Sequence, residues 1–148
     1  MKKILIAYDS KSGRTQKMAE TIAQGVRQAG AEAVIRLIGD IGSETELDGF
    51  DGYIFGCPTY FKTATEAMKQ FLFMAQKADL EGKTGGSFGS YTHIGNGPKI
   101  IHDTMEFVFR MKMADLGAFN VKEQILDSGK GDEPCRAYGK AFAEKVGG

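Results

Sequence analysis

Tryptophan is absent from the 148 residues, cysteine occurs twice and proline three times, and neither sign of charge is in excess. Nineteen Lys and Arg side chains balance nineteen Asp and Glu, so no whole-molecule field recommends nucleic acid, an anionic membrane or an acidic substrate as partner. Cys57 and Cys135 lie far apart, form neither a CxxC nor a zinc-ligand spacing, and are too few for a disulfide scaffold. A reducing, cytoplasmic setting without a metal site is expected. No apolar stretch approaches the roughly 20 residues that span a bilayer, which speaks against a membrane protein. The N-terminal apolar run is broken at Asp9 without a small-residue cleavage site, so it reads as a strand rather than a signal segment.

What is present is one globular α/β pattern. With 42% apolar residues a chain of this length buries one core well, so a single domain over residues 1–148 is expected. Residues 4–8 form a nearly continuous apolar run, the mark of a strand covered on both faces and hence of a parallel sheet. Met18, Ile22, Val26 and Ala29 then recur at helical spacing, with Gly30 placed as a C-terminal stop. Further strands are expected over residues 33–38, 52–56, 82–89 and 119–125, with helices over 65–76, 98–113 and 133–146. In the first of these helices Ala67, Met68, Phe71, Leu72 and Ala75 share one side, and Pro98 suits the opening turn of the second. Five strands alternating with helices predict an open, doubly wound sheet with no linker or repeat.

The chemistry gathers where the first strand meets the first helix. Ser10, Ser12, Gly13, Arg14 and Thr15 place three hydroxyls, a permissive glycine and a cation at a helix N-terminus, whose unpaired N–H groups and dipole favour an anion. The same loop also reads as an ordinary helix cap through Ser12 or a neighbour. Neither GxxxxGK[ST] nor GxGxxG is present, so a mononucleotide suits the loop better than a nucleoside triphosphate or a dinucleotide. A cofactor-free receiver module is disfavoured, because the first strand lacks the paired acidic residues that such a module uses for magnesium and phosphoryl transfer.

The motif Ser10-x-Ser12-Gly13-x-Thr15 after a first strand resembles the FMN phosphate loop of the flavodoxin family, and the element order is similar over essentially the whole chain. The resemblance implies a flavodoxin-like five-stranded parallel sheet of order 2-1-3-4-5 with helices on both faces. It also implies FMN held at the crevice beside the first and third strands. Two flavin-flanking loops follow from it. Pro58, Thr59, Tyr60 and Phe61 form the first, with Tyr60 the leading candidate to stack on the ring and Phe61 the runner-up. Ser90, Tyr91, His93 and Gly95 belong to the second, whose backbone amides reach the ring's edge in the family. The implied function is an electron-transfer flavoprotein with redox partner proteins: a reductase or ferredoxin-like donor and an acceptor enzyme.

Two departures keep a second reading open. Phe61 and Lys62 stand where the family's electron carriers usually have a glycine, and a side chain there makes positive φ costly. The chain is also neutral where such carriers are acidic. The Pro58 to Phe61 motif is similar to FMN-dependent reductases that take hydride from NAD(P)H and reduce quinones or other small acceptors, and Lys11, Arg14 and Lys62 could receive a phosphorylated nicotinamide. Cys57 is expected to be a buried apolar residue rather than a reactive thiol. His102 is expected to lie on a helix face.

Overall fold

In a computed structural model that describes residues 1–146, the chain runs β1 (Lys3–Tyr8), α1 (Arg14–Gln28), β2 (Glu32–Leu37), β3 (Gly52–Gly56), β4 (Thr59–Tyr60), β5 (Thr63–Ala64), α2 (Glu66–Ala75), β6 (Thr84–Tyr91), α3 (Gly97–Asp103), β7 (Lys112–Lys122), α4 (Glu123–Asp127) and α5 (Asp132–Lys145). Short 3-10 turns at Ile38–Asp40 and Glu44–Leu47 join β2 to β3. Five strands pair in parallel in the order β2-β1-β3-β6-β7, and β4 and β5 form a separate antiparallel hairpin. This is the predicted 2-1-3-4-5 order. The last two residues of the expected 1–148 domain lie outside the described residues.

Alternation along β1 explains the layers. Successive strand side chains point to opposite faces. Ile4, Ile6 and Tyr8 pack with Met18, Ile22 and Val26 of α1 and Tyr138 and Phe142 of α5, while Leu5 and Ala7 join Tyr53, Phe55, Met68, Phe71, Leu72 and Ile101 on the other side. Each fully buried aliphatic or aromatic side chain contributes roughly 1.5–3 kcal/mol, so both faces of the sheet must be covered. Helices α1 and α5 cross with backbones touching. A Cβ on Gly25 would overlap the carbonyl oxygen of Arg136, and one on Gly139 would overlap that of Ile22.

Several expectations shift. The helix expected over 98–113 is α-helical only through Asp103. It continues as a π-helical turn, Thr104–Val108, in which the Phe109 N–H reaches back five residues to Thr104 at 3.0 Å, and it stops at Arg110 with φ +57°. The strand expected over 119–125 instead starts at Lys112 and ends at Lys122, and Glu123–Asp127 is helical. Its register explains the miss: Gly85 pairs with Met113 but Ser87 with Ala118, so residues 114–117 bulge out of the ladder with Gly117 at φ +69°. Asp115 and Gly117 interrupt the apolar run that would have announced an earlier start. The strand expected over 82–89 lies two residues further on, since Gly82 turns at φ +79°. The strand expected over 33–38 ends at Leu37, because Ile38 opens a 3-10 turn. Ala67 is exposed rather than on the apolar side of α2.

Candidate functional site

Strand order reverses between β1 and β3, and the loops leaving their carboxyl ends diverge to open a crevice there. The loop after β1 enters α1 through Gly13, at φ +89° with open space where a Cβ would stand. The Gly13 N–H donates to Ser10 Oγ at 3.1 Å. No side chain caps α1 and no acidic residue occupies its first turn. Its first helical hydrogen bond runs from the Lys17 N–H to the Gly13 carbonyl at 3.0 Å, so the N–H groups of residues 14–16 precede the ladder. The capping that the sequence also allowed for Ser12 is therefore not made. Thr15 is buried, and its hydroxyl lies 3.4 Å from that of buried Ser90, joining this loop to the end of β6.

Arg14 is turned elsewhere. Its Nε donates to Asp127 Oδ1 at 2.9 Å and one terminal nitrogen to Oδ2 at 3.0 Å. The other donates to Ser12 Oγ at 3.2 Å and lies 3.5 Å from Glu123. The bidentate hydrogen bond from Arg14 holds the Asp127 carboxyl below its ordinary value, and the guanidinium is raised by the same contact. The acidic pair on α4 escaped the sequence reading, which placed residues 123–125 in a strand.

The loop after β3 forms the β4–β5 hairpin, whose two tip residues, Phe61 and Lys62, sit at φ +52° and +64°. Two-residue hairpins of this kind require positive φ at both positions and normally use Asn or Gly. Positive φ, costly for a side chain at Phe61, is adopted there all the same, because closing the hairpin in two residues imposes it. Phe61 is 99% exposed, the ring projecting from the tip. Tyr60 is half-buried, and desolvation first, then Glu123 and Asp9, raise its phenol. Thr59 and Tyr60, with Phe61, Lys62, Thr92, His93 and Ile94, line a cavity of about 370 Å³. Thr92 and Ile94 are additions to the expected residues, flanking His93 in a loop that gave no periodic signal. Tyr91 is half-buried and is not among the lining residues.

The two flanking loops are tied together. The Gly97 N–H donates to Thr59 Oγ1 at 2.8 Å and Asn96 Nδ2 to the Lys62 carbonyl at 3.2 Å. Pro58 is buried, and its carbonyl lies where a Cβ on Gly97 would crowd it. Asn120 Nδ2 donates to the Gly95 carbonyl at 2.8 Å, leaving Asn120 Oδ1 buried and unpaired. Cys57 is fully buried, which pushes its thiol up to about 12 and keeps it protonated at neutral pH. His102 is partly buried on α3, 3.7 Å from Asp103. Among the described residues no group of His, Cys, Asp and Glu is arranged to hold a metal ion, and no helix is long and apolar enough to cross a membrane.

A doubly wound parallel sheet with an uncapped, hydroxyl-lined helix start beside an aromatic-walled slot at the strand-order switch defines a mononucleotide-binding α/β domain. Comparison with known proteins narrows the class. The sequence profile of the flavodoxin family matches residues 6–144. A flavodoxin of Clostridium saccharobutylicum is 35% identical, with 97% of each chain covered. A solved structure of a flavodoxin from the domain Archaea superposes with a TM-score of 0.88 at 27% identity, covering 97% of this chain and 98% of that one. An NAD(P)H dehydrogenase (quinone) of Archaeoglobus fulgidus is 30% identical over 61% of this chain and 62% of its own. The chain belongs to the flavodoxin family; its cofactor is FMN and its work is electron transfer.

The residues present fit that cofactor. A phosphate monoester needs donors and a close backbone approach, and the loop after β1 supplies hydroxyls, free N–H groups and an open Gly13. A flat heteroaromatic ring needs an apolar slot with an aromatic wall, and the cavity beside Tyr60 supplies it.

Proposed function

We propose that Ser10, Ser12, Gly13 and Thr15 hold the FMN phosphate, with Arg14 closing the cradle from outside through Asp127, and that the ring enters the slot between the hairpin and the His93 loop. The observation that carries this reading is the start of α1, which has neither a capping side chain nor an acidic residue and faces the crevice at the strand-order switch. Thr59 keeps the two walls of the slot in register through Gly97, and Tyr60 offers the face on which the ring rests. Phe61 and His93 shield the ring's exposed edge, while Pro58, Tyr91 and Gly95 shape the loops that carry them. Bound FMN supplies reversible acceptance of electrons; the protein fixes its orientation, polarity and access.

The protein acts as a carrier between partner proteins, a reductase or ferredoxin-like donor and an acceptor enzyme, in the cytoplasm as one domain. Its two cysteines are free and buried, which suits a reducing compartment. Full-length similarity to a flavodoxin favours the carrier over an NAD(P)H-dependent reductase of quinones, to whose relatives only about three fifths of the chain is similar. A specific observation nevertheless keeps the reductase reading as second: Lys62 stands exposed at the mouth of the slot, where a phosphorylated nicotinamide would approach. Anaerobic mixing separates the two. A carrier loaded with FMN is bleached by dithionite and keeps its oxidised spectrum with NADPH alone; direct bleaching by NADPH, with turnover on an added quinone, makes it a reductase.

A further inference from the structure

The balanced total of charges hides an uneven surface. Between β2 and β3 the chain carries Asp40, Glu44, Glu46, Asp48 and Asp51, with no Lys or Arg over residues 38–51. Cations are therefore in surplus elsewhere, and part of that surplus stands at the mouth of the slot. Lys11 in the loop after β1, Lys62 at the hairpin tip and Lys122 at the end of β7 are all exposed, and none of the ion pairs among the described residues includes them. Lys62 lines the slot, and Lys122 lines a second cavity of about 410 Å³ that shares Thr92 and His93 with it. The carboxylates on this side are already engaged. Both oxygens of Asp127 accept from Arg14, while Glu123 lies 3.5 Å from Arg14 and accepts from Thr92 Oγ1 at 3.2 Å. Glu66 opens α2, where the positive end of the helix dipole compensates its charge.

The same rim is apolar at its tip. Phe61 is 99% exposed, and Ile94 on the opposite wall of the slot is 44% exposed. A single exposed aliphatic is ordinary on a protein surface. Phe61 differs because it is held out under strain, at φ +52°, with the next carbonyl, that of Lys62, pinned by Asn96 Nδ2. The ring gains no burial within the chain in return. Aromatic side chains presented on a fixed backbone anchor protein interfaces well, since covering them sacrifices little conformational freedom. An electron donor must bring its own centre close to a ring in the slot, so it has to cover this mouth.

We propose that the mouth of the slot is a basic docking face with an aromatic tip, and that the donor it fits is a small electron-transfer protein whose surface is acidic around its own redox centre. Its sign is the reverse of that of the family's acidic carriers. Lys11, Lys62 and Lys122 steer and orient the approach, and Phe61 packs against an apolar patch on the partner. The charge of the FMN phosphate is met inside the cradle, by the N–H groups and dipole of α1, rather than at the rim. In the exchange two reduced one-electron donors each give up one electron, and the flavin takes both together with one proton from water. The proposal rests on FMN occupying the slot as described above.

Anaerobic stopped-flow mixing of the FMN-loaded protein with a pre-reduced, acidic plant-type ferredoxin tests it. A basic cytochrome c, as oxidant of the reduced protein, is the probe of opposite charge, and all rates are taken per bound FMN. Between about 0.01 and 0.15 M salt the screening length falls from about 30 to about 8 Å. Over that interval reduction by the ferredoxin should slow about tenfold, while oxidation by the cytochrome should quicken. The triple variant Lys11→Gln, Lys62→Gln, Lys122→Gln should bring the ferredoxin response below about twofold. Asp48→Asn, which precedes β3 at the opposite edge of the sheet, should keep the wild-type response. Phe61→Ser should slow the ferredoxin reaction at every salt concentration and leave its salt response in place. A loaded wild type whose reaction with the ferredoxin is indifferent to salt, or quickens with it, overturns the proposal, as does a triple variant that responds like wild type. A loaded Phe61→Ser protein reacting at the wild-type rate removes the anchor. Should the triple variant lose FMN, Lys11→Gln with Lys122→Gln, neither of which lines the slot, is judged by the same criterion. A wild type that takes up no FMN refutes the reading of the slot itself, whereas a wrong salt response in loaded protein refutes only the docking face.

Discussion

Two residues at the hairpin tip carry backbone strain that the rest of the fold must hold. Left-handed conformation costs a non-glycine residue roughly 1–2 kcal/mol, and glycine gives part of this back as unfolded-state entropy. Phe61→Gly should therefore stabilise the apoprotein by roughly 0.5–1 kcal/mol in denaturant unfolding, since the ring it removes is almost wholly exposed. Loss of stability would mean that the ring packs in solution. Thr15 behaves oppositely, being buried in the loop proposed to hold the phosphate. Thr15→Ala should weaken FMN binding by about 1.5–3 kcal/mol, the value of a hydrogen bond to a charged group, read by flavin fluorescence titration; unchanged affinity removes Thr15 from the cradle. The Asp127 carboxyl titrates below its ordinary 3.8 because Arg14 favours the ionised form. A group depressed in the folded state lends stability above its unfolded pKa and loses it as pH falls through the folded value. The Arg14 clasp should accordingly persist through mildly acid solution and open only below pH 3.8, with Arg14→Ala returning Asp127 to its ordinary midpoint in an NMR titration.

Among the elements, the crossing of α1 and α5 is the least forgiving. Alanine is the better helix former by about 1 kcal/mol, yet a methyl on Gly25 would meet the backbone of Arg136, and overpacking costs typically 1–3 kcal/mol. Gly25→Ala should come out destabilising by about 1 kcal/mol or more in thermal unfolding; a stabilised variant would mean that the helices part easily. Elements announced by uninterrupted local patterns were legible from sequence. The apolar run of β1, the 3.6-residue spacing of α1 and the limits of α2 all fall within a residue or so of expectation. Elements whose limits are set by partners were not. The π-helical turn at Thr104–Val108 keeps an apolar sequence with a helical look, and the bulge in β7 follows from pairing with β6, neither of which a single-strand pattern encodes.

Across the whole molecule, sheet order brings four loop segments from distant parts of the chain to one edge. The candidate phosphate loop stood out in the sequence because hydroxyls, glycine and helix start are contiguous. The slot was legible in outline, through Tyr60 and His93. The contacts that discipline it were not, because Asp9–Thr65, Thr59–Gly97 and Asn120–Gly95 join residues 25 to 56 positions apart. The Arg14 clasp to α4, 113 positions away, was equally hidden, and it redirects a side chain that the sequence placed on the phosphate. All of these contacts bear on the proposal that the phosphate is gripped at α1 while the ring lies in the slot. Parallel fluorescence titrations of the apoprotein with FMN and with riboflavin, which shares the ring but lacks the phosphate, separate the two halves of that site. FMN should be quenched at one equivalent per chain and bind at least a hundredfold more tightly than riboflavin, whereas equal affinity for the two, or no quenching of FMN, would contradict a phosphate cradle at the start of α1.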